Sequence, residues 1–150
     1  MSDSIPRSAL WLGLGGIVPF AGLAAAPWFT DPVHHGMVIR SLVVYAAVIL
    51  TFVGAIHWGV ALHRDVAPAA RSKLFMWSVV PALIAWAATH FVPPVAIMAI
   101  VIGFALQLVA DRIAVRSLPL PRWFWRLRII LTSGVVLSLA LGAVAFHVVR

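Results

Sequence analysis

The sequence predicts an all-α integral membrane protein, a bundle of about five transmembrane helices with its amino terminus cytoplasmic and its carboxyl terminus periplasmic. Three observations predict it. Apolar residues fill 63% of 150 positions and charged residues only 10%, at a mean hydropathy of +1.07. A water-soluble domain carries roughly 25% charged residues, so lipid must cover most of this surface. The apolar residues gather into five long runs, and the basic residues gather beside those runs on one side of the membrane.

The runs cover 8–27, 38–62, 74–90, 94–110 and 129–149, in one membrane domain over 1–150. About 20 helical residues cross a hydrocarbon core of about 30 Å. The third and fourth runs are short, so they should stand nearly upright or thin the bilayer locally. The first run also has the outline of a signal peptide, with Arg7 as its charged start and small residues at 24–26. Pro27 directly after that site disfavours cleavage, so an uncleaved helix is expected.

The breaks between runs are polar or proline-rich. Residues 28–36 hold Asp31, Pro32, His34 and His35, and residues 63–73 hold Arg64, Asp65, Pro68, Arg71 and Lys73. Pro93 and Pro94 make a tight turn, with Pro94 suited to the first position of a helix. Pro19 and Pro81 fall inside runs and are expected to kink them, which membrane helices tolerate where neighbours satisfy the freed carbonyls.

Orientation follows from the basic residues. Five spans place Arg7, Arg64, Arg71, Lys73, Arg112, Arg116, Arg122, Arg126 and Arg128 on one side and Arg40 and Arg150 on the other, nine against two. Basic residues mark the cytoplasmic side. Trp11, Trp58, Trp77, Trp123 and Trp125 then fall near the inner interface, and Trp28 and Trp86 near the outer one, where indoles anchor helices. The net charge of +7 suits anionic lipid headgroups rather than nucleic acid.

Helices in lipid associate through close contact of small residues and a few polar bonds. Small residues recur at Ala47, Thr51, Ala55 and Gly59 in the second run, at Gly134, Ser138 and Gly142 in the fifth, and at Ala99 and Gly103 in the fourth. Two polar residues lie deep inside apolar runs, His57 in the second and Gln107 in the fourth. Asp111 follows Gln107 by four residues and so shares its helical face. Polar side chains at such depth face the bundle interior and pair with one another, so His57, Gln107 and Asp111 are expected at similar depth near Arg128. A polar clasp that sets helix register is the plainer reading of this cluster. A proton-carrying or ligand-binding site built on a histidine beside a carboxylate is the sharper one.

Other chemistry finds little material. Cysteine is absent, which excludes disulfides, thiolate metal sites and cysteine nucleophiles. His34, His35, His90 and His147 all fall at the outer face, where a metal site is conceivable but solvated loop histidines are the commoner outcome. No metal and no cofactor is therefore expected. A haem held by two axial histidines is badly served, because His57 and His90 fall near opposite faces, and a tetrapyrrole on a single histidine has no positive support. The connection over 111–128 alternates basic residues with Leu118, Leu120, Trp123, Phe124 and Leu127, which suits a segment in the inner interface with Arg116, Arg122 and Arg126 on phosphates.

Several of these residues together resemble a known family. Phe52 to Gly59 read FVGAIHWG, with Gly54, His57, Trp58 and Gly59 as its marked positions. Gly103, Phe104, Gln107 and Asp111 form a spaced set, PRWFWRLRIILT covers 121–132, and GLGGIVPF covers 13–20. Nearly the whole chain thus resembles the family catalogued as domain of unknown function 3429, small bacterial inner-membrane proteins with a mitochondrial transmembrane relative. The resemblance implies a five-helix membrane protein without assigned activity. It draws interest to His57, Trp58, Gln107, Asp111, Pro121, Trp123 and Arg128.

The function these readings favour is a non-enzymatic accessory, scaffold or assembly subunit of a larger complex in the bacterial inner membrane. Its partners would be membrane lipids and either partner subunits or further copies of the chain. The alternative is a small transporter or ligand-binding bundle working through His57, Gln107 and Asp111. An enzyme is not expected, since no nucleophile–base pair, metal-ligand helix motif or phosphate-cradling loop is present.

Overall fold

Proline opens most of the helices. In the computed structural model, which describes residues 4–63, 65–118 and 120–148, the chain forms α1 (Arg7–Ala25), a short 3-10 turn (Ala26–Trp28), α2 (Pro32–Ala61), α3 (Pro68–Ala88), α4 (Pro93–Ser117) and α5 (Arg122–Val148). Pro32, Pro68 and Pro93 each take the first helical position, where the missing N–H is one that no intrahelical carbonyl would have used. The fourth helix therefore begins at Pro93, one residue before the Pro94 start read from the sequence. Among the described residues the architecture is all-α, without strands.

The α1–turn unit (Arg7–Trp28), α2, α4 and α5 are long and apolar enough to cross a membrane. α3 falls short of that measure, because Arg71 and Lys73 occupy its first turns and only Leu74 to Ala88 remain apolar. The helices outrun the apolar runs. α2 starts at Pro32, so His34 and His35 lie in its first turns rather than in a loop. The connection expected over 111–128 is not a separate interfacial segment. α4 continues through it to Ser117 and α5 begins at Arg122. The reason is physical: hydropathy marks where a helix leaves hydrocarbon, and helical hydrogen bonding continues into the headgroup layer. Arg64, Arg150 and Val149, the last residue of the fifth run, lie outside the described residues.

The helices alternate in direction. Residues near the end of α2, in the middle of α3, in the second half of α4 and near the start of α5 meet in one polar network described below. The α2–α3 turn is fastened by Arg71, whose Nη2 donates to the Val66 carbonyl (3.1 Å). The apolar core lies between α2 and its neighbours and includes Phe20, Ile39, Leu42, Leu50, Ile100, Phe104 and Leu139, all essentially without exposure. Phe20 meets Tyr45 edge-on at 4.9 Å, and the Tyr45 hydroxyl donates to the Gly16 carbonyl (3.0 Å). That bond ties α1 to α2 one residue from the Gly15 carbonyl deprived of its donor by Pro19. α1 and α3 both continue through their internal prolines.

Glycines decide where helices touch. A Cβ on Gly134 would come within 2.7 Å of Ile17, and one on Gly142 within 2.5 Å of Leu42. The fifth-run stripe thus packs inward, with Ser138 buried between them. The second-run stripe does not. Ala47 is buried, whereas Thr51, Ala55 and Gly59 are exposed, with nothing within 4 Å of a Cβ on Gly59. α2 instead presents Leu50, Gly54, His57 and Ala61 to the bundle.

Gly54 has the least room for change, because a Cβ there would lie 2.8 Å from two ring carbons of Pro81. A proline ring cannot rotate away. Gly54→Ala should therefore cost about 1–3 kcal/mol through overpacking and lower the thermal unfolding midpoint in detergent. Gly59→Ala should leave that midpoint unchanged or raise it. Equal effects of the two changes would contradict this packing.

Candidate functional site

Hydrocarbon gives a buried polar group no solvent partner, so each must find one inside the bundle. Gln107 and Asp111 sit one turn apart on α4, and both are fully buried. The Gln107 amide nitrogen donates to Asp111 Oδ1 at 2.9 Å. Arg128, in the second turn of α5 and 4% exposed, donates through Nε to Asp111 Oδ2 at 2.6 Å. Both carboxylate oxygens are thereby engaged. A charge-assisted bond of this length, with the ion pair shut away from water, couples α4 to α5 strongly.

α2 and α3 join through Gln107. Its amide nitrogen lies 3.2 Å from His57 Nδ1 and 3.4 Å from the Val53 carbonyl, while Trp77 Nε1 donates to Gln107 Oε1 at 3.0 Å. An indole N–H can only donate, so the amide oxygen must face Trp77 and the nitrogen must face His57 and Asp111. His57 Nδ1 then accepts, and the ring hydrogen resides on Nε2. That nitrogen has no hydrogen-bond partner among the described residues. Asp111 Oδ1 approaches it to 3.8 Å, too far for a hydrogen bond.

Two cavities flank the network. One, of 640 Å³, opens between α3 and α4 and is lined by His57, Lys73, Leu74, Trp77, Ala110 and Ile113 among others. The second, of 110 Å³, lies between α1, α2, α4 and α5 beside Arg128 and Thr132. Arg128 Nη2 and Thr132 Oγ1 have no hydrogen-bond partner among the described residues, and their two residues are the polar ones in an otherwise apolar lining.

The structure therefore gathers His57, Gln107, Asp111 and Arg128 into one network and adds Trp77, which the sequence marked only as an interfacial anchor. Nothing in its spacing distinguishes it from the other tryptophans. The remaining motif residues act elsewhere. Gly54 admits Pro81. Trp58 is half exposed and meets Phe75 edge-on at 4.7 Å. Gly59 faces outward. The Pro121 carbonyl accepts from the Phe124 amide (3.0 Å) at the start of α5, and Trp123 lies against Phe124. Arg116, Arg122 and Arg126 are exposed, and Arg112 stacks over the Trp125 ring at 5.0 Å, an α4–α5 contact the sequence reading missed.

The other histidines are dispersed. His35 is buried and donates through Nε2 to the Thr30 carbonyl (3.0 Å), bracing the start of α2. His90 donates through Nδ1 to the Trp86 carbonyl (3.0 Å). His34 and His147 are exposed, the latter edge-on to Phe146. Among the described residues no three His, Cys, Asp or Glu side chains gather closely enough to hold a metal.

Asp111 and Arg128 should be strongly coupled. Asp111→Leu or Arg128→Leu alone strands a buried charge and should cost about 3–5 kcal/mol. The double substitution should be less destabilising than either single one, because it removes both charges together. Thermal unfolding of the four proteins in one detergent measures the cycle, and simple additivity would refute the pairing.

The family model described as "Protein of unknown function (DUF3429)" matches residues 5–144, which include every member of the network. Transmembrane protein 69 of Xenopus tropicalis is 34% identical over 139 residues, covering 89% of this chain and 53% of that protein. The chain spans about half the length of this curated relative. No solved structure matches it. With nearly its whole length matched, and with four helices among the described residues long and apolar enough to cross a membrane, this membrane protein belongs to the DUF3429 family.

Proposed function

We propose that the chain is a non-enzymatic accessory subunit that docks onto another membrane helix in a larger complex of the bacterial inner membrane. The supporting observation is the outward face of α2. Thr51, Ala55 and Gly59 are exposed at four-residue spacing, and a Cβ on Gly59 would meet nothing within 4 Å. Small residues on a lipid-facing helix let another backbone approach closely. α1 adds to this reading, since only 11% of its most apolar stretch is buried inside the protein, against 44% for α2.

The membrane and orientation belong to the same proposal. Arg71, Lys73, Arg112, Arg116, Arg122 and Arg126 all lie at the end of the bundle that holds the polar network, and Arg40 lies toward the other end. The positive-inside rule makes the network end cytoplasmic and puts the amino terminus there. The interior carboxylate is consumed by its ion pair, which leaves the network better suited to holding helices than to catalysis.

A second reading, a ligand-binding bundle, has its own observation: His57 lines the 640 Å³ groove with an unpartnered ring nitrogen. The groove is mostly apolar, which suits a lipid-soluble molecule better than an ion.

Docking through α2 is tested by native electrophoresis in mild detergent. The wild-type chain should migrate in a species larger than its own detergent complex. Ala55→Leu/Gly59→Leu should release it as a single chain with its unfolding midpoint preserved. A wild-type chain that already runs alone would defeat the proposal.

A further inference from the structure

The geometry points to a binding site for a neutral, lipid-soluble molecule with an apolar body and a carbonyl head, held in the groove between α3 and α4 with its oxygen on His57 Nε2. This inference deepens the ligand-binding reading by naming the class of ligand.

The first argument is the direction of one hydrogen. Trp77 fixes the Gln107 amide, the amide fixes His57 Nδ1 as an acceptor, and the ring hydrogen is left on Nε2. His57 is only 3% exposed. The Gly54 and Ala110 carbonyls and the Asp111 carboxylate lie near the ring, yet none meets hydrogen-bond geometry with Nε2. A buried N–H without an acceptor is costly, and an oxygen brought in by a ligand removes that cost.

The second argument is the shape of the space. At 640 Å³ the groove falls within the range of about 300–1,000 Å³ common to small-molecule sites, and it combines apolar walls with few polar groups as such sites do. It runs along α4 from Leu106 to Leu118, roughly 18 Å at 1.5 Å per residue. Leu106, Val109 and Ile113 along this edge are exposed, so a ligand dissolved in the bilayer can enter sideways.

The third argument selects the head. An anionic head on Nε2 would come close to Asp111 Oδ1, itself 3.8 Å from that nitrogen. Like charges brought near each other away from water repel, and Arg128 offsets only part of the Asp111 charge. A neutral carbonyl accepts the hydrogen without that opposition. Lys73, the one cation lining the groove among the described residues, is exposed and offers an anionic amphiphile its competing position.

The test uses the full chain in lipid nanodiscs with 2-decyl-1,4-benzoquinone as probe, read as saturable quenching of tryptophan fluorescence, Trp77 being a groove residue. Decylbenzene and palmitate serve as competitors. The quinone should bind saturably, and both competitors should displace it only at about tenfold higher concentration, the effect of one buried hydrogen bond. His57→Leu should weaken quinone binding about tenfold. Ala110→Phe, which fills the groove from a position outside the hydrogen-bonded network, should abolish saturable binding while the unfolding midpoint holds. Absence of saturable quenching in the wild-type protein overturns the ligand-binding reading and the ligand class together, as does wild-type affinity in Ala110→Phe. Displacement by decylbenzene as readily as by the quinone itself overturns carbonyl recognition alone, and tighter binding of palmitate overturns the neutral head.

Discussion

An ionised carboxylate cannot sit alone in hydrocarbon, and Asp111 is a carboxylate with no exposure at all. Its two oxygens draw Arg128 from α5 to 2.6 Å and the Gln107 amide to 2.9 Å. Gln107 has further bonding capacity, and it spends that capacity on His57 of α2 and Trp77 of α3. Four helices are thus tied to one charge. Moving any of the four would break a hydrogen bond that no solvent can replace. Lipid gives the helices no hydrophobic reason to associate, so this requirement and close packing must together specify the bundle.

α1 is held differently. It contributes no side chain to the network and packs by shape, with Gly13 against Leu131, Gly134 against Ile17, and the Tyr45 hydroxyl on the Gly16 carbonyl. Contacts of this kind are numerous and individually small. The result is a bundle with a stiff polar node at one end of α2–α5 and a first helix laid along its side. The node also connects stability with recognition. The bonds that orient Gln107 leave His57 with a hydrogen to give beside the groove, so a ligand in the proposed site would meet a donor already oriented by three helices.

The glycines divide along the same line. Gly54, Gly103, Gly134 and Gly142 sit where a neighbour's side chain would collide with a Cβ, whereas Gly15, Gly22 and Gly59 have open space around them. The first group is explained by the bundle itself. The second is not, and its outward position on apolar helices is what a further helix would require. One spacing in α2 shows how easily the two are confused. The series Ala47, Thr51, Ala55 and Gly59 drifts from a buried start to an exposed end, because a four-residue spacing overshoots the 3.6-residue turn and rotates the stripe around the helix.

Much of this protein follows from the sequence by itself. Apolar runs of membrane length, separated by prolines and flanked on one side by arginines, determine an all-α membrane bundle because lipid permits few alternatives. The shared face of Gln107 and Asp111 follows from helix geometry, and their depth beside His57 follows from counting turns. The sequence could not determine where the helices end, since hydrogen bonding continues past the last apolar residue and carries α4 to Ser117. Nor could it show that Trp77 closes the network, that Gly54 rather than Gly59 meets a neighbour, or that a groove reaches His57. Those features depend on how each helix is rotated and how far it slides against the next. Rotation and sliding are decided by contacts between residues tens of positions apart, and only the folded chain brings them together.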